Sequence, residues 1–270
     1  MVRNGMDGDY STGGRRDEAL LDALLEKADP PAVAIINPQG RSPFLLIGDH
    51  AGNRIPRRLG TLGLSEGDRV RHIAWDIGVG ALGEALATRL DAVFVRQTYS
   101  RLVIDCNRDS DAADAIPAES DGSPIPGNAG LDRMAVAARI AAIHAPYQQA
   151  IADEIARRGA AGLATILVSL HSFTSALAGQ DARPWDIGVL HDGHNDAFAL
   201  RLLAALMRST ELIVGDNQPY RMDATDHSVP RHAFPGLPYV ELEIAQRRLA
   251  TEPDIGWWRD RLASLLADAA

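Results

Sequence analysis

Two histidines stand just after strongly apolar segments of the sequence, and this placement suggests metal chemistry. His50 follows the segment Phe44–Ile47, and His171 follows Thr165–Leu170. Neutral imidazole is a common zinc ligand, and a catalytic zinc ion keeps three protein ligands and a water molecule. Either histidine alone is more simply interpreted as a loop or core residue whose ring nitrogens are hydrogen-bonded within the protein. Two histidines at equivalent strand ends favour a site for a divalent metal ion.

The third metal ligand should be a carboxylate or another histidine. Asp76 is the best-placed candidate, because it stands just before a predicted helix at Gly78–Leu90. The alternative is that Asp76 only caps the amino terminus of that helix. The single cysteine, Cys106, excludes an internal disulfide and any cysteine-rich zinc or iron–sulfur site.

Arginines flank a short apolar segment, Leu102–Ile104, which we predict to be a strand. Arg101 precedes it, and Asn107 and Arg108 follow it closely. A guanidinium group offers a fixed fork of donors that suits a carboxylate. These residues could therefore bind an acidic ligand. The alternative is an internal ion pair, for instance between Arg101 and Asp105.

Two glutamates, Glu241 and Glu243, alternate along the last predicted strand and therefore share one face of it. Carboxylates on a buried strand are unfavourable unless one meets a cation or acts as a general base. The alternative is an edge strand with a solvated face. Tyr220 lies just past another predicted strand, where it could contact a substrate or only pack against neighbouring side chains.

The remaining histidines are more simply interpreted as exposed loop residues. His227 and His232 flank a proline-containing loop that could also reach an active site. His72, His191 and His194 carry no further signal.

Strands alternate with helices along the chain, which predicts an α/β sheet covered by helices on both faces. The predicted strands are Ala32–Ile36, Phe44–Ile47, Ala92–Val95, Leu102–Ile104, Thr165–Leu170, Ile187–Leu190, Leu212–Val214 and Tyr239–Ile244. The predicted helices are Asp17–Lys27, Gly78–Leu90, Leu131–Arg158 with a break or kink at Pro146, Asp196–Met207 and Trp257–Leu266. The polar segment Asp109–Gly130 is a predicted long loop. Such folds place their chemistry outside the carboxyl ends of the strands.

Composition excludes several classes of function. The 27 basic and 36 acidic residues give a formal net charge of −9, which argues against nucleic-acid or anionic-membrane partners. No segment is apolar enough for a membrane helix, and no dinucleotide or P-loop fingerprint is present. We expect a cytoplasmic protein with a flexible tail at 1–16 and one domain over 17–270. Its oligomeric state stays open.

Six segments of the sequence together resemble the N-formylglutamate amidohydrolase family and, more remotely, the zinc carboxypeptidases and aspartoacylases. They are Gly48–Pro56, Ala74–Gly78, Tyr99–Arg108, Leu170–Thr174, Gly215–Tyr220 and Val240–Gln246, and they occur in the family order. The resemblance implies a three-layer αβα fold with a central mixed β-sheet, like that of the zinc carboxypeptidases. It also implies a hydrolase that carries one Zn²⁺ per chain, or another divalent metal.

The metal ligands implied by the resemblance include both histidines. His50 matches the first metal-binding histidine of the family pattern, and His171 matches the second. Three residues after His50, the carboxypeptidase pattern has glutamate where this sequence has Asn53. An amide oxygen is a poor zinc ligand beside a carboxylate. Asp76 is then expected to complete the site, and otherwise the metal is bound weakly.

The resemblance also assigns substrate-binding and catalytic residues. Asn107 and Arg108 match the pair that binds a substrate carboxylate, and Arg101 is similar to an arginine that assists both binding and catalysis. Glu243 matches the general base, with Glu241 as the alternative. Tyr220 is a candidate for substrate contact.

The expected activity is metal-dependent hydrolysis of the N-formyl or N-acyl amide of a small acidic amino acid, such as N-formylglutamate, by activated water. The sequence leaves the acyl group, the amino acid and the metal open. The alternative function is a non-catalytic α/β protein that binds small carboxylates, which Asn53 in place of glutamate favours.

Overall fold

The apolar segments of the sequence form the strands of one central sheet. The computed structural model describes residues 24–270 and contains a seven-stranded sheet of order β1-β3-β2-β6-β9-β7-β8. Its strands are β1 Val33–Ile36, β2 Phe44–Gly48, β3 Val93–Gln97, β6 Ile166–Phe173, β7 Ile187–Leu190, β8 Val214–Asp216 and β9 Tyr239–Ala245. A separate two-stranded hairpin consists of β4 Glu119–Ser120 and β5 Ser123–Pro124.

Within the part of the chain that the structure describes, six α-helices accompany the sheet. They are α1 Val79–Leu90, α2 Arg133–Arg139, α3 Ala145–Ala160, α4 Ala197–Met207, α5 Ser228–His232 and α6 Glu252–Ala269. No helix within residues 24–270 is long and apolar enough to cross a membrane.

The sheet is mixed, and its parallel centre determines where the polar residues meet. Strands β3, β2, β6 and β9 run parallel to one another, whereas β1 and β7 are antiparallel to their neighbours β3 and β9. The carboxyl ends of β2, β6 and β9 therefore lie at the same edge. This is the edge at which α/β proteins bind their ligands.

Alternate residues of the strands enter two separate hydrophobic cores. On β2, Phe44 and Leu46 pack with residues of α1, α4 and α6, whereas Leu45 and Ile47 pack with residues of α3 and the connecting loops. Side chains of a strand point alternately to its two faces, so one apolar strand can serve both cores. The three-layer αβα fold predicted from the sequence is confirmed.

Some predicted elements differ from the structure. Leu102–Ile104 forms a buried turn instead of a strand, because Ser100 accepts hydrogen bonds from the backbone of Leu102 through Oγ and of Val103 through its carbonyl oxygen. The predicted helix Leu131–Arg158 contains a π-helical turn at Ile140–His144, and Pro146 lies in the first turn of α3.

The helix predicted near the amino terminus can be compared with the structure only at its end. Residues 1–23, and with them most of the predicted helix Asp17–Lys27, lie outside the described residues. The described end of that segment, Leu24–Lys27, is not helical. The predicted loop Asp109–Gly130 is irregular apart from the β4–β5 hairpin and a short 3₁₀ turn.

Candidate active site

Three side chains from different parts of the sequence converge at the carboxyl edge of the sheet. His50 lies two residues beyond β2, Asp76 lies three residues before α1, and His171 is within β6. One potential ligand atom from each residue lies within 4.8 Å of the other two, and all three residues are buried. Asn53 is not part of this group, so the carboxylate in the cluster comes from Asp76.

The two histidines present the same ring atom to Asp76. His171 Nδ1 lies 3.0 Å from Asp76 Oδ2, and His50 Nδ1 lies 3.5 Å from the same oxygen. Within the described residues, the buried His50 Nδ1 has no hydrogen-bond partner. An unpartnered buried ring nitrogen is unfavourable, and a metal ion would satisfy it. Two imidazole nitrogens and a carboxylate oxygen are a suitable donor set for zinc.

Two further carboxylates hold the opposite ring nitrogens. His50 Nε2 lies 2.7 Å from Asp105 Oδ1. His171 Nε2 lies 3.2 Å from Asp49 Oδ2 and 3.1 Å from the hydroxyl of Ser169. Metal-binding histidines usually direct their second nitrogen to a carboxylate, which fixes the tautomer and leaves the first nitrogen free to bind. This role of Asp49 and Asp105 was not among the predictions from the sequence. Their positions next to a ligand histidine and after an apolar segment were the available signal.

The charges of the cluster are those of a site for a cation. Burial alone would lower the pKa of His171, but its close contacts with the carboxylates of Asp49 and Asp76 raise that pKa well above the usual value. Burial opposes ionisation of Asp76, yet the neighbouring histidines hold its pKa well below the usual range. The carboxylates therefore concentrate negative charge that protons on the histidines balance. A metal ion that binds here would replace those protons.

Asp49 is tied to two helices on the same side of the sheet. Ser228 Oγ donates to Asp49 Oδ1 at 2.5 Å, and Gln148 Nε2 donates to Ser228 Oγ at 3.1 Å. Gln148 Oε1 in turn lies 2.7 Å from Nε2 of His232. His232 is 9% exposed, so the expectation of an exposed loop histidine is wrong at this position. The chain of contacts links α3 and α5 to the carboxylate that orients His171.

The paired glutamates lie beside His171 in the sheet. In the register of β6 and β9, Glu241 is opposite Ser169 and Glu243 is opposite His171. Strand β9 is hydrogen-bonded on both sides, by β6 and by β7, so the alternative of a solvated edge strand is wrong. Burial raises the pKa of each glutamate to about 8. Within the described residues, the Oε2 atom of each has no hydrogen-bond partner.

Arg101 is already engaged by carboxylates of the site. Its Nη2 and Nε atoms donate to Asp105 Oδ2 at 2.6 and 3.1 Å. Its Nη1 atom lies 3.6 Å from Asp76 Oδ1. The internal ion pair considered for the sequence is therefore present, and it places the guanidinium group next to the cluster of His50, Asp76 and His171.

Asn107 and Arg108 also have partners within the protein. Asn107 Oδ1 accepts hydrogen bonds from the backbone nitrogens of His227 and Ser228 at the start of α5, both at 3.0 Å. Arg108 Nε donates to Asp114 Oδ2 at 3.0 Å, and its Nη1 donates to two backbone carbonyl oxygens. Both residues line the cavity, but their main polar groups are occupied by the chain itself.

Tyr220 lines the same cavity and is contacted by an arginine that the sequence analysis did not single out. Arg183 Nη1 donates to Tyr220 Oη at 2.7 Å, and its guanidinium carbon lies 4.7 Å from the centre of the ring. The loop that carries Tyr220 passes very close to β7. A Cβ atom at Gly188 would lie 1.9 Å from the carbonyl oxygen of Gln218, so only glycine allows this approach.

A cavity of about 630 Å³ lies at the carboxyl edge of the sheet. It is lined by every residue that the sequence analysis proposed for metal binding, catalysis or substrate binding, namely His50, Asp76, Arg101, Asn107, Arg108, His171, Tyr220 and Glu243, and by Glu241. The structure thus brings the proposed residues together in one place. A buried metal-ligand set beside an unpartnered carboxyl group in a cavity can support hydrolysis of a small molecule.

Comparison with known proteins identifies a family and a shared fold. The sequence profile of the N-formylglutamate amidohydrolase family matches residues 42–250. A gene product of Agrobacterium tumefaciens has a crystal structure with a TM-score of 0.87 and 35% identity, over 91% of this chain and 97% of that chain. The N-formylglutamate amidohydrolase of Ralstonia eutropha JMP134 shares the fold, with a TM-score of 0.62 and 21% identity over 89% of this chain and 100% of that chain. No curated protein sequence matches the chain.

Proposed function

Because the chain belongs to the N-formylglutamate amidohydrolase family, we propose that it is a metal-dependent hydrolase of N-acylated amino acids. Its substrate is the N-formyl or another small N-acyl derivative of an acidic amino acid, such as N-formylglutamate. The products are a carboxylic acid (formate for a formyl group) and the free amino acid. The observation that carries the proposal is the convergence of His50, Asp76 and His171 beside Glu243.

His50 and His171 would hold the metal ion through Nδ1, and Asp76 through a carboxylate oxygen. Zinc is the metal we propose, because two imidazoles and one carboxylate are typical of catalytic zinc sites. When bound, such an ion supplies a Lewis acid that polarises the scissile carbonyl and makes water more acidic. Asp105 and Asp49 keep the two imidazoles oriented through Nε2.

Glu243 is the general base of the proposed reaction. It takes a proton from the attacking water molecule and gives it to the nitrogen of the leaving amino acid. Its pKa of about 8 without a metal ion means that burial favours the protonated form, and a nearby divalent cation would favour the ionised form. Glu243 is 7% exposed and Glu241 is 2% exposed, so Glu243 is the more accessible of the two to water in the cavity.

Arg101 contributes fixed positive charge beside the reacting groups. Its pairing with Asp105 holds the guanidinium group, while Nη1 faces the cluster near Asp76. A preorganised donor at this position stabilises the negative charge that develops on the carbonyl oxygen. The roles of Asn107 and Arg108 as direct carboxylate ligands have weaker support, because their polar groups already have partners.

Formate release tests the proposed activity directly. The zinc-loaded protein is incubated with N-formylglutamate, N-acetylglutamate and N-formylalanine, and formate, acetate and free amino acid are measured. We expect hydrolysis of at least one acidic substrate and its loss in Glu243→Gln. A protein that binds these carboxylates but cleaves none of them would be the non-catalytic binding protein considered for the sequence.

A further inference from the structure

The cavity needs a cationic group for a substrate carboxylate, and the arginines expected to supply it are already paired. Arg101 donates twice to Asp105, and Arg108 donates to Asp114. A substrate carboxylate would have to displace these partners before it could bind. Removing one partner of such a pair leaves the other charge uncompensated, which is unfavourable at a buried position. Asp105 is buried and also holds His50, so its pair with Arg101 is the harder one to break.

Arg183 differs from these residues in its partners. Its one side-chain hydrogen bond within the described residues goes from Nη1 to the uncharged hydroxyl of Tyr220. No carboxylate oxygen in the described part of the chain lies within 4.0 Å of its guanidinium nitrogens. A guanidinium group has five N–H donors. Nε and Nη2 therefore remain available for a two-point contact with a carboxylate.

The position of Arg183 suits contact with a molecule in the active site. It lies in the segment between β6, which carries His171, and β7, which pairs with the strand of Glu243. Its charge is close enough to Glu243 to oppose the effect of burial on the pKa of that carboxyl group. Its partner Tyr220 lines the cavity. Arg183 itself lines a neighbouring cavity of about 570 Å³, and Pro219 lines both this cavity and the active-site cavity.

The contact with Tyr220 restricts the orientation of the Arg183 side chain. The guanidinium group lies over the ring at 4.7 Å and also donates to the hydroxyl, so two interactions act on one side chain. The tyrosine itself is held near β7 by the close approach of Gln218 to Gly188. A preoriented arginine loses less conformational entropy when it binds a ligand.

We infer that Arg183, positioned by Tyr220, binds a carboxylate of the substrate and sets the preference for an acidic amino acid. This inference rests on the proposed function, since it concerns the substrate of that reaction. Arg183 is then the specificity-determining residue, and Tyr220 acts on the substrate through it.

A pairwise change of enzyme and substrate tests the inference. Kinetic constants are measured for wild type, Arg183→Gln and Arg183→Lys with N-formylglutamate and with its two monoamides, N-formylglutamine and the α-amide. We expect one monoamide to be at least about tenfold poorer than N-formylglutamate for wild type. The Arg183→Gln variant should lose this preference through a higher KM at similar kcat, and Arg183→Lys should restore part of it.

Arg221 is the competing candidate for this role. It is the residue after Tyr220, lines the active-site cavity, is exposed, and within the described residues has no side-chain hydrogen bond or ion pair. Arg221→Gln should keep the preference of wild type for N-formylglutamate. If Arg183→Gln keeps that preference, or if Arg221→Gln loses it instead, the inference is wrong.

Binding of glutamate by calorimetry separates this inference from the proposed reaction. If wild type cleaves no N-formyl compound, the proposed activity fails, but the metal-loaded protein can still be titrated with glutamate. We expect Arg183→Gln to bind glutamate at least about tenfold more weakly than wild type and Arg221→Gln. Equal affinity of the three proteins, or no glutamate binding to wild type, would overturn the role of Arg183.

Discussion

The rings of His50 and His171 lie 5.0 Å apart between their centres, edge to face, and both direct Nδ1 toward Asp76. This arrangement follows from the carboxylates on their other nitrogens. A ring whose Nε2 atom is held by Asp105 or Asp49 has only Nδ1 left to offer. The site is therefore preorganised for a cation by groups that would not themselves touch it.

The general base can be identified by comparing the two glutamates of β9. We expect Glu243→Gln to lower kcat by about 10²–10⁴-fold and to retain the metal, because the amide cannot accept the proton. Glu241→Gln is the matched control and should reduce kcat much less. Metal content and kcat of both variants are measured at pH 7.5. Loss of turnover in Glu241→Gln with an active Glu243→Gln would transfer the role to Glu241.

The carboxylate that orients His171 should affect metal affinity. We expect Asp49→Asn to weaken metal binding about 10–100-fold, because the amide no longer favours the tautomer with Nδ1 free. Ser228→Ala removes the hydroxyl that donates to Asp49 and should weaken binding in the same direction but less. Competition with a chromogenic chelator measures the affinity. Asp260→Asn, at an exposed position, is the control, and an unchanged affinity in Asp49→Asn would contradict the assignment.

The close packing of the Tyr220 loop against β7 predicts a contrast between two glycines. Gly188→Ala would place a Cβ atom against the carbonyl of Gln218, so the loop must move and substrate binding should weaken at least about tenfold. Gly256→Ala is the control, because a Cβ atom there meets no atom within 4 Å and lies inside α6. It should leave KM unchanged and stabilise the fold by up to about 1 kcal/mol. Equal KM values for the two variants would argue against this role of Gly188.

The buried His232 predicts a loss of stability in mild acid. Burial, with Arg231 and His227 adding to it and Asp49 opposing it, lowers the pKa of His232 to about 4. The unfolded chain, with a histidine pKa near 6.5, binds the proton at higher pH than the folded chain does. The free energy of unfolding should therefore decrease as the pH falls from 6.5 toward 4, by about 1–2 kcal/mol between pH 7 and 5.

Denaturant titrations at pH 7 and pH 5 measure this decrease. His232→Gln removes the titrating group, so we expect a smaller difference between the two pH values in that variant than in wild type. An equal difference in both proteins would show that other groups account for the acid sensitivity.

The strands and the convergence of His50 and His171 were predictable because they depend on local patterns. The apolar runs at Phe44–Ile47 and Ile187–Leu190 form strands with nearly the predicted bounds, since burial on both faces requires continuous apolar sequence. The polar residues that follow such strands must meet at one edge of a parallel sheet. That rule alone brings His50 and His171 together.

The partners of the side chains could not be predicted in the same way. For Arg101, the sequence left two alternatives open, namely binding of an acidic ligand and an internal ion pair with Asp105. Arginines that flank a short apolar segment are compatible with both. The apolar segment Leu102–Ile104 is as buried as a strand but lies in a turn, and apolar character alone does not distinguish the two. Arg183 lies in a loop without periodicity, so only the fold reveals its contact with Tyr220.

Metal content is measured by mass spectrometry on purified wild type and on His171→Ala in parallel. We expect about one zinc ion per wild-type chain after dialysis against zinc, and its loss in the variant, with circular dichroism showing that the variant is folded. Wild type without bound metal after the same dialysis would contradict the account, as would a folded His171→Ala variant that retains the full metal content.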